Sequence, residues 1–243
     1  MTEEITYNAI DFSGQYFLLR KKEGRIYSDE EVATLPEIDK RHRYYNEWDL
    51  RKRSSVQLRK YLVDKKRPLQ ILEIGCGNGW LSARLSNIPL SKVTGIDINN
   101  EELNQAKRVF DQNKNLEFLN YSLQDENLSK HQFDVIIFAA SMQYFPSLKN
   151  ILDEAISHLN PGGEIHIMDT HFYNAKEVAA ASQRSKDYFT AIGFPEMAEQ
   201  YFHHSFQELR SFNHKILYDP HSIANRFKKS KSPFYWVCVK GNA

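Results

Sequence analysis

Cysteine is nearly absent from this chain: Cys76 and Cys238 are the whole supply. Two thiols make no disulfide framework, and they are not spaced as a CxxC metal pair. Cys76 has no histidine or other base near it in sequence, so it reads as a small turn residue rather than a nucleophile. There is no excess of charge of either sign, with 32 Lys and Arg against 31 Asp and Glu. No global field therefore draws the chain to nucleic acid or to an anionic membrane. Long apolar runs are missing too. Val135 to Ala140 is as long as any, far short of the ~20 residues a bilayer span requires. The opening Met1-Thr2-Glu3-Glu4-Ile5 is acidic and has no apolar stretch. No signal peptide is read from it, and a soluble cytoplasmic protein is expected. No nucleophile elbow or Ser-His-Asp order is present, and no internal repeat or low-complexity segment is evident.

What the chain does have is Ile71-Leu72-Glu73-Ile74-Gly75-Cys76-Gly77-Asn78-Gly79-Trp80. Ile71, Leu72 and Ile74 read as a buried strand. Three glycines follow within five residues, and Trp80, Leu81, Ala83 and Leu85 suit the start of a helix. Strand, glycine turn and helix together make a nucleotide-binding arrangement. Glycine reaches positive φ and lets backbone touch a ligand with no Cβ between them. The free N–H groups of the following helix start face the same spot. The spacing is G-x-G-x-G with an acid, Glu73, two residues ahead. A dinucleotide loop reads G-x-G-x-x-G, and a P-loop needs a lysine that is missing here. Further on, Lys92 to Asp97 reads as a second strand ending on an acid. A carboxylate there is placed to accept bonds from both hydroxyls of a ribose; the alternative is a turn residue or helix cap. Asn99, three residues before Glu102, has the spacing of a capping box.

The rest alternates. Strands are expected at Leu116–Leu119, Phe133–Phe138 and Glu164–Asp169, and helices after Asn99 and Ser147. Asn160-Pro161-Gly162-Gly163 forms a stop between the second of these helices and the fifth strand. The pattern predicts an α/β fold with a doubly wound, mostly parallel, seven-stranded Rossmann-like sheet. Lys215–Tyr218 and Phe234–Val239 supply the last two strands. Residues 1–68 read as an N-terminal cap, with a hairpin around Tyr16–Tyr27 and a helix from about Asp49 to Lys65. Residues 69–243 read as the main domain. Residues 173–211 within it form a helical insertion above the carboxyl edge of the sheet. The basic residues Arg51, Lys52, Arg53, Arg59 and Lys60 read either as a solvated face or as a guide for an anionic substrate.

Over roughly 71–170 the chain resembles the class I S-adenosylmethionine-dependent methyltransferases. Asp97, followed by Ile98, falls on the family's ribose-binding acid. Glu73, Gly75, Cys76, Gly77 and Gly79 fall on its first motif. Tyr121-Ser122-Leu123-Gln124 falls on the adenine-side loop. Many members have an acid where Ser122 stands, which leaves the Leu123 backbone N–H to meet the ring. Phe138-Ala139-Ala140-Ser141-Met142-Gln143-Tyr144-Phe145 falls on the segment facing methionine and acceptor, and places Ala139 at the cofactor. The resemblance also implies a seventh strand antiparallel to the others. It implies S-adenosyl-L-methionine as cofactor and in-line transfer of its methyl group to an acceptor.

The acceptor is expected to be a small molecule. The near-zero charge, and the lack of Asn-Pro-Pro-Tyr after strand four, argue against nucleic acid. A nucleic-acid or protein methyltransferase, and an inactive cofactor-binding scaffold, remain the alternatives. His171, after strand five, is the first choice for a general base because imidazole titrates near neutral pH. Tyr144 is the alternative, acting more by orientation. Tyr44, Tyr45 and Trp48 either pack the cap onto the domain or cover the cofactor. His203 and His204 have no metal-ligand spacing and are assigned to the lid. No metal is expected, and the oligomeric state is not legible.

Overall fold

The computed structural model describes residues 9–226 and 231–241; the acidic opening Met1–Ile5 lies outside them. Among the described residues, β1 (Gln70–Ile74), β2 (Lys92–Ile96), β3 (Leu116–Leu119), β4 (Phe133–Ala139), β5 (Leu159–Met168), β6 (His214–Tyr218) and β7 (Trp236–Lys240) form one sheet in the order β3-β2-β1-β4-β5-β7-β6. Strands β1 to β5 pair in parallel, whereas β7 runs antiparallel to both β5 and β6. This is the doubly wound sheet that the alternating pattern predicts.

The apolar run of β4 shows why the fold forms. In a strand, successive side chains point to opposite faces. Ile136 and Phe138 join a core with Leu152 and Ala155, while Val135 and Ile137 join a second core with Leu58, Leu62 and Leu85. Both faces are thus covered by helices, and a continuous run of β-branched residues is what such a strand requires. The helices among the described residues are α1 (Ala9–Glu23), α2 (Asp29–Thr34), α3 (Tyr45–Val63), α4 (Trp80–Leu85), α5 (Asn100–Val109), α6 (Leu148–Ser157), α7 (Ala175–Ala191) and α8 (Ile223–Arg226).

Four expectations need correcting. The hairpin around Tyr16–Tyr27 is α1 instead, ended by Gly24 at φ 69°. The run Tyr16-Phe17-Leu18-Leu19 looks strand-like, but Leu19 is buried against Phe189 and Met197, with Phe12 and Tyr16 packed beside them. That is helical spacing. Helix α3 begins at Tyr45, four residues before the expected start, so Tyr45 and Trp48 lie inside it. Strand β5 begins at Leu159, opposite Phe133, and the Asn160–Gly163 turn is absorbed as a bulge before Glu164 pairs with Val135. The insertion is helical only in α7; Pro195–Gln200 and Phe206–Ser211 are 3-10 turns. His203 and His204 sit in the extended link between those turns.

The basic face of α3 is engaged at the surface. Arg51 pairs with Glu47 at 3.0 Å and Arg53 with Asp49 at 2.8 Å, each one helical turn away, and Lys52 pairs with Glu37. Such pairs are worth a few tenths of a kcal/mol each; Arg59 and Lys60 on the same helix are exposed.

Glu164, His166 and Cys238 lie buried between β5 and β7 with their polar atoms within 4.8 Å of one another, the one group with metal-ligating chemistry found among the described residues. Their valences are already used. The Trp236 indole donates to His166 Nδ1 at 3.0 Å, which puts the imidazole proton on Nε2, facing Glu164 at 3.2 Å. Lys65 and Lys240 both reach the Glu164 carboxylate. Burial alone would raise the Glu164 pKa, but the hydrogen bonds from His166, Lys240 and Lys65 hold it well below the usual carboxylate range. This is a neutralised polar plug at the end of the sheet away from the glycine loop.

The loop after β1 is packed without slack. Gly79 opens α4 at φ 75°, and a Cβ there would stand 2.8 Å from the Ala106 Cβ and closer still to the Phe118 ring. Gly79→Ala should therefore destabilise the chain by about 2–4 kcal/mol, adding left-handed backbone strain to overpacking. Urea denaturation of wild type and variant measures this, and equal midpoints would contradict the packing described.

Candidate functional site

In an open α/β sheet the crevice forms beyond the carboxyl ends of the strands, where neighbouring strands depart in opposite directions. That point here lies between β1 and β4. A cavity of about 460 Å³ opens at it, lined by Gly75, Gly77, Asp97, Ile98, Asn99, Glu102, Ser122, Leu123, Ala140, Ser141 and Tyr144, with Phe12 and Tyr16 of α1 across the mouth. A volume of this size suits a nucleoside-sized ligand.

Each wall has a local cause. Gly75 sits at φ 73°, and a Cβ there would stand 2.6 Å from the Ser141 Cβ. The Ser141 hydroxyl donates to the Ile74 carbonyl at 2.7 Å, tying the segment after β4 to the end of β1. Asp97 accepts from the Gly77 N–H at 2.7 Å through one oxygen and from the Asn99 N–H at 2.8 Å through the other. Burial raises its pKa, partly offset by bonds from the Asn99, Gly77 and Ile98 backbone. Asn99 caps α5 by accepting from the Glu102 N–H at 3.1 Å, but the Glu102 side chain does not fold back to complete the box. It lines the cavity instead.

Glu73 is buried behind the loop. It takes a hydrogen bond from the Ser82 hydroxyl in α4, and so fixes the helix whose N-terminus follows the glycines. Burial, offset in part by Ser82, lifts its pKa to about 8. Cys76 is also buried, packed with Leu103, Ala106 and Phe118, and burial raises its thiol well above the usual range. Glu73, Cys76, Gly79 and Ala139 stand behind or beside the wall rather than in it.

The roof comes from two segments outside the alternating core. The Tyr144 ring meets Phe12 at 5.8 Å, Tyr16 at 5.6 Å and Tyr201 at 5.7 Å between centroids. Residues after β4 are also stitched to the insertion. The Phe202 N–H donates to the Gln143 carbonyl at 2.7 Å, and His204 Nε2 lies 3.2 Å from the Met142 carbonyl. Burial raises the Tyr144 pKa, so its hydroxyl stays protonated at neutral pH.

The other expected site residues lie elsewhere. His171 is exposed and stacks edge-on against Phe234 at 4.6 Å; it is not among the cavity-lining residues. His203 contacts the Ser185 hydroxyl at 2.9 Å, and His204 is buried. The Trp48 indole donates to the Tyr27 hydroxyl at 2.8 Å, and its ring meets Trp80 at 5.4 Å. Tyr44 donates to the Glu23 carbonyl and lies under Arg25 at 3.9 Å. Tyr44 and Trp48 thus pack the cap onto the domain, and neither they nor Tyr45 lines the cavity. The aromatics that do cover it are Phe12 and Tyr16, in the segment whose strand-like run suggests a hairpin. Their spacing of four residues was the available signal.

Residues 71–163 match a family model described as a methyltransferase domain. The matched stretch holds the glycine loop and strands β1 to β4. Among curated proteins, a malonyl-[acyl-carrier protein] O-methyltransferase of Ilyobacter polytropus is 31% identical over 50% of this chain and 47% of its own length. A demethylmenaquinone methyltransferase of Chlorobaculum tepidum is 30% identical over 48% of this chain and 46% of its own length. The chain thus spans about half the length of these curated relatives. Among solved structures, magnesium protoporphyrin IX methyltransferase (ChlM) from Synechocystis PCC 6803, with bound SAM, superposes with a TM-score of 0.61 over 99% of this chain and 100% of that one, at 12% identity. That likeness is one of fold. No helix among the described residues is long and apolar enough to cross a membrane.

The raised pKa of Glu73 makes a signed prediction. The unfolded carboxyl ionises near 4.5 and the folded one near 8, so between these values the unfolded state binds fewer protons and stability falls as pH rises. Glu73→Gln removes that dependence. From pH 5 to pH 8 the variant should gain on wild type by on the order of 1 kcal/mol or more, measured as the difference between their urea midpoints. A constant difference would mean that Glu73 is ionised in the fold.

Proposed function

We propose that this protein is an S-adenosylmethionine-dependent methyltransferase acting on a small-molecule acceptor. The observation that carries this reading is the single cavity joining the glycine loop, Asp97, the Ser122–Leu123 loop and Tyr144 at the sheet's switch point. The cavity walls fit the cofactor: backbone approaches where Cβ atoms are missing, and carboxylates stand where hydroxyl or ammonium donors need acceptors. Asp97 takes the ribose, using the lone pairs its two backbone bonds leave free. Leu123 flanks the adenine, with its backbone N–H as the polar contact. Gly75 and Gly77 lie along the methionine portion.

When bound, the cofactor supplies an electrophilic methyl group on a sulfonium, which departs as a neutral thioether. The chain's part is then placement and exclusion of water. Tyr144, protonated and wedged among Phe12, Tyr16 and Tyr201, orients the acceptor rather than taking its proton. His171, outside the cavity wall, does not serve as the base in this reading. The cap, residues 1–68, and the insertion, residues 173–211, together close the acceptor side through α1 and the turns around Tyr201. The two curated relatives are named for different acceptors, malonyl-[acyl-carrier protein] and demethylmenaquinone, so the shared sequence supports the cofactor half and leaves the acceptor to the roof. Near-neutral net charge supports a small molecule over nucleic acid.

Isothermal titration calorimetry tests the reading. Wild type should bind S-adenosylmethionine, and Asp97→Asn should weaken binding by roughly 10- to 100-fold, as expected for loss of a charge-assisted hydrogen bond. Unchanged affinity in the variant removes Asp97 from the site, and a wild type that binds no cofactor overturns the function. Hydrogen exchange with S-adenosylhomocysteine present should slow in α1 and around Tyr201. Equal exchange with and without ligand would separate these segments from the site.

A further inference from the structure

Two carboxylates face the cavity, and they are not equivalent. Asp97 has both oxygens committed to backbone N–H groups. Glu102, one turn into α5, has none committed. No hydrogen bond or ion pair within 4 Å engages its carboxylate among the described residues. Its Oε2 lies 3.3 Å from where a Cβ on Gly77 would stand, directly over the glycine loop. Glu102 is partly buried and lines the cavity, so its uncommitted carboxylate is open to a donor on a ligand seated over the glycine loop.

We propose that Glu102 is a second cofactor-binding carboxylate, which accepts hydrogen bonds from the donor groups that S-adenosylmethionine presents at the glycine loop and neutralises part of its positive charge. This rests on the cofactor reading above. The charges around Glu102 fit the role. Arg20 and Tyr16 face it from α1, Arg51 from α3, Cys76 from the loop, Asp97 from the end of β2, and Tyr144 from beyond β4. Burial raises its pKa most; Arg20 and Arg51 lower it, Asp97 raises it, and the net value is about 7. The thiol of Cys76 and the phenols of Tyr16 and Tyr144 are all pushed upward, so none of them titrates near neutrality.

A cationic ligand favours the ionised form of Glu102 and therefore releases its proton on binding. Wild-type affinity should rise from pH 6 to pH 8. At pH 7, with a pKa of about 7, binding should release up to about half a proton, read by calorimetry in buffers of different ionisation enthalpy. Glu102→Gln should bind S-adenosylmethionine about 10-fold more weakly at pH 8, approach wild type at pH 6, and abolish the proton release. Titration with 5′-methylthioadenosine, which keeps the ribose and lacks the amino-acid portion, locates the donor. A matching loss there assigns Glu102 to the ribose hydroxyls; a loss confined to S-adenosylmethionine assigns it to the ammonium, and either supports the proposal. Two results overturn it while leaving the function standing: wild type that binds without releasing a proton at pH 7, or release undiminished in Glu102→Gln, which would put the proton on Asp97. Wild type that binds no S-adenosylmethionine overturns the function itself, and this proposal with it.

Discussion

Asp97 accepts two backbone N–H groups at once, one from the glycine loop and one from the entry to α5. Those two segments follow β1 and β2, adjacent parallel strands whose chains leave the sheet at the same edge. The sheet brings their ends together but does not fix the loops. A single carboxylate does, with its charge stabilised by backbone dipoles in a buried setting. The cavity wall depends on that bracket. Gly77 is held where its missing Cβ leaves room for Glu102, and Gly75 is held against Ser141, which in turn grips the end of β1.

The same bracket sets the electrostatics. Asp97, Glu102 and Glu73 all sit where burial raises the carboxyl pKa, and Asp97 raises the other two further. Three acids this close do not all ionise without compensation. Glu73, raised to about 8, keeps its proton at neutral pH beside the Ser82 hydroxyl, burial raises Asp97 against the pull of its backbone N–H groups, and Glu102 is raised to about 7. Like-charged neighbours driven to different protonation states are a mark of binding and catalytic sites, and here the geometry gives each acid a different job: anchoring a helix, shaping a loop and meeting a ligand.

Sequence made the sheet readable because its signals were local and strong. The run Val135–Ala140 needs cover on both faces, three glycines in five residues need a turn, and an acid closing β2 needs donors. It made one wall of the cavity readable for the same reason: Gly75, Gly77, Asp97, Ile98, Ser122 and Leu123 all line it. The roof was not readable. α1 has no sharp amphipathic stripe: Leu19 is buried against the insertion, Phe12 and Tyr16 face the cavity, and Leu18 is exposed, so its apolar residues do not fall on one face. His171 looked placed by its position after β5, but β5 lies beyond β4 from the loop, and its chain leaves toward Phe234. Glu102 was legible only as a capping residue. Asn99 does the capping alone, and whether a glutamate folds back or reaches outward is decided by what stands opposite it.

That division bears on how such a domain acquires an acceptor. The stretch that matches the family ends at residue 163 and begins at 71, so it contains the glycine loop, Asp97, Glu102 and Tyr144. Phe12, Tyr16 and Tyr201 lie outside it on either side. They converge on Tyr144 from two segments that fold onto the sheet edge rather than into the sheet. Substituting them alters the roof without touching a strand, a glycine or the Asp97 bracket. A cofactor site built from buried hydrogen bonds tolerates little change, because each lost partner strands a polar group away from water. A roof built from aromatic edges tolerates much more, since volume-conserving apolar swaps cost little. In the proposed reading the aromatic roof can therefore change while the glycine-loop wall stays fixed, which fits curated relatives named for different acceptors.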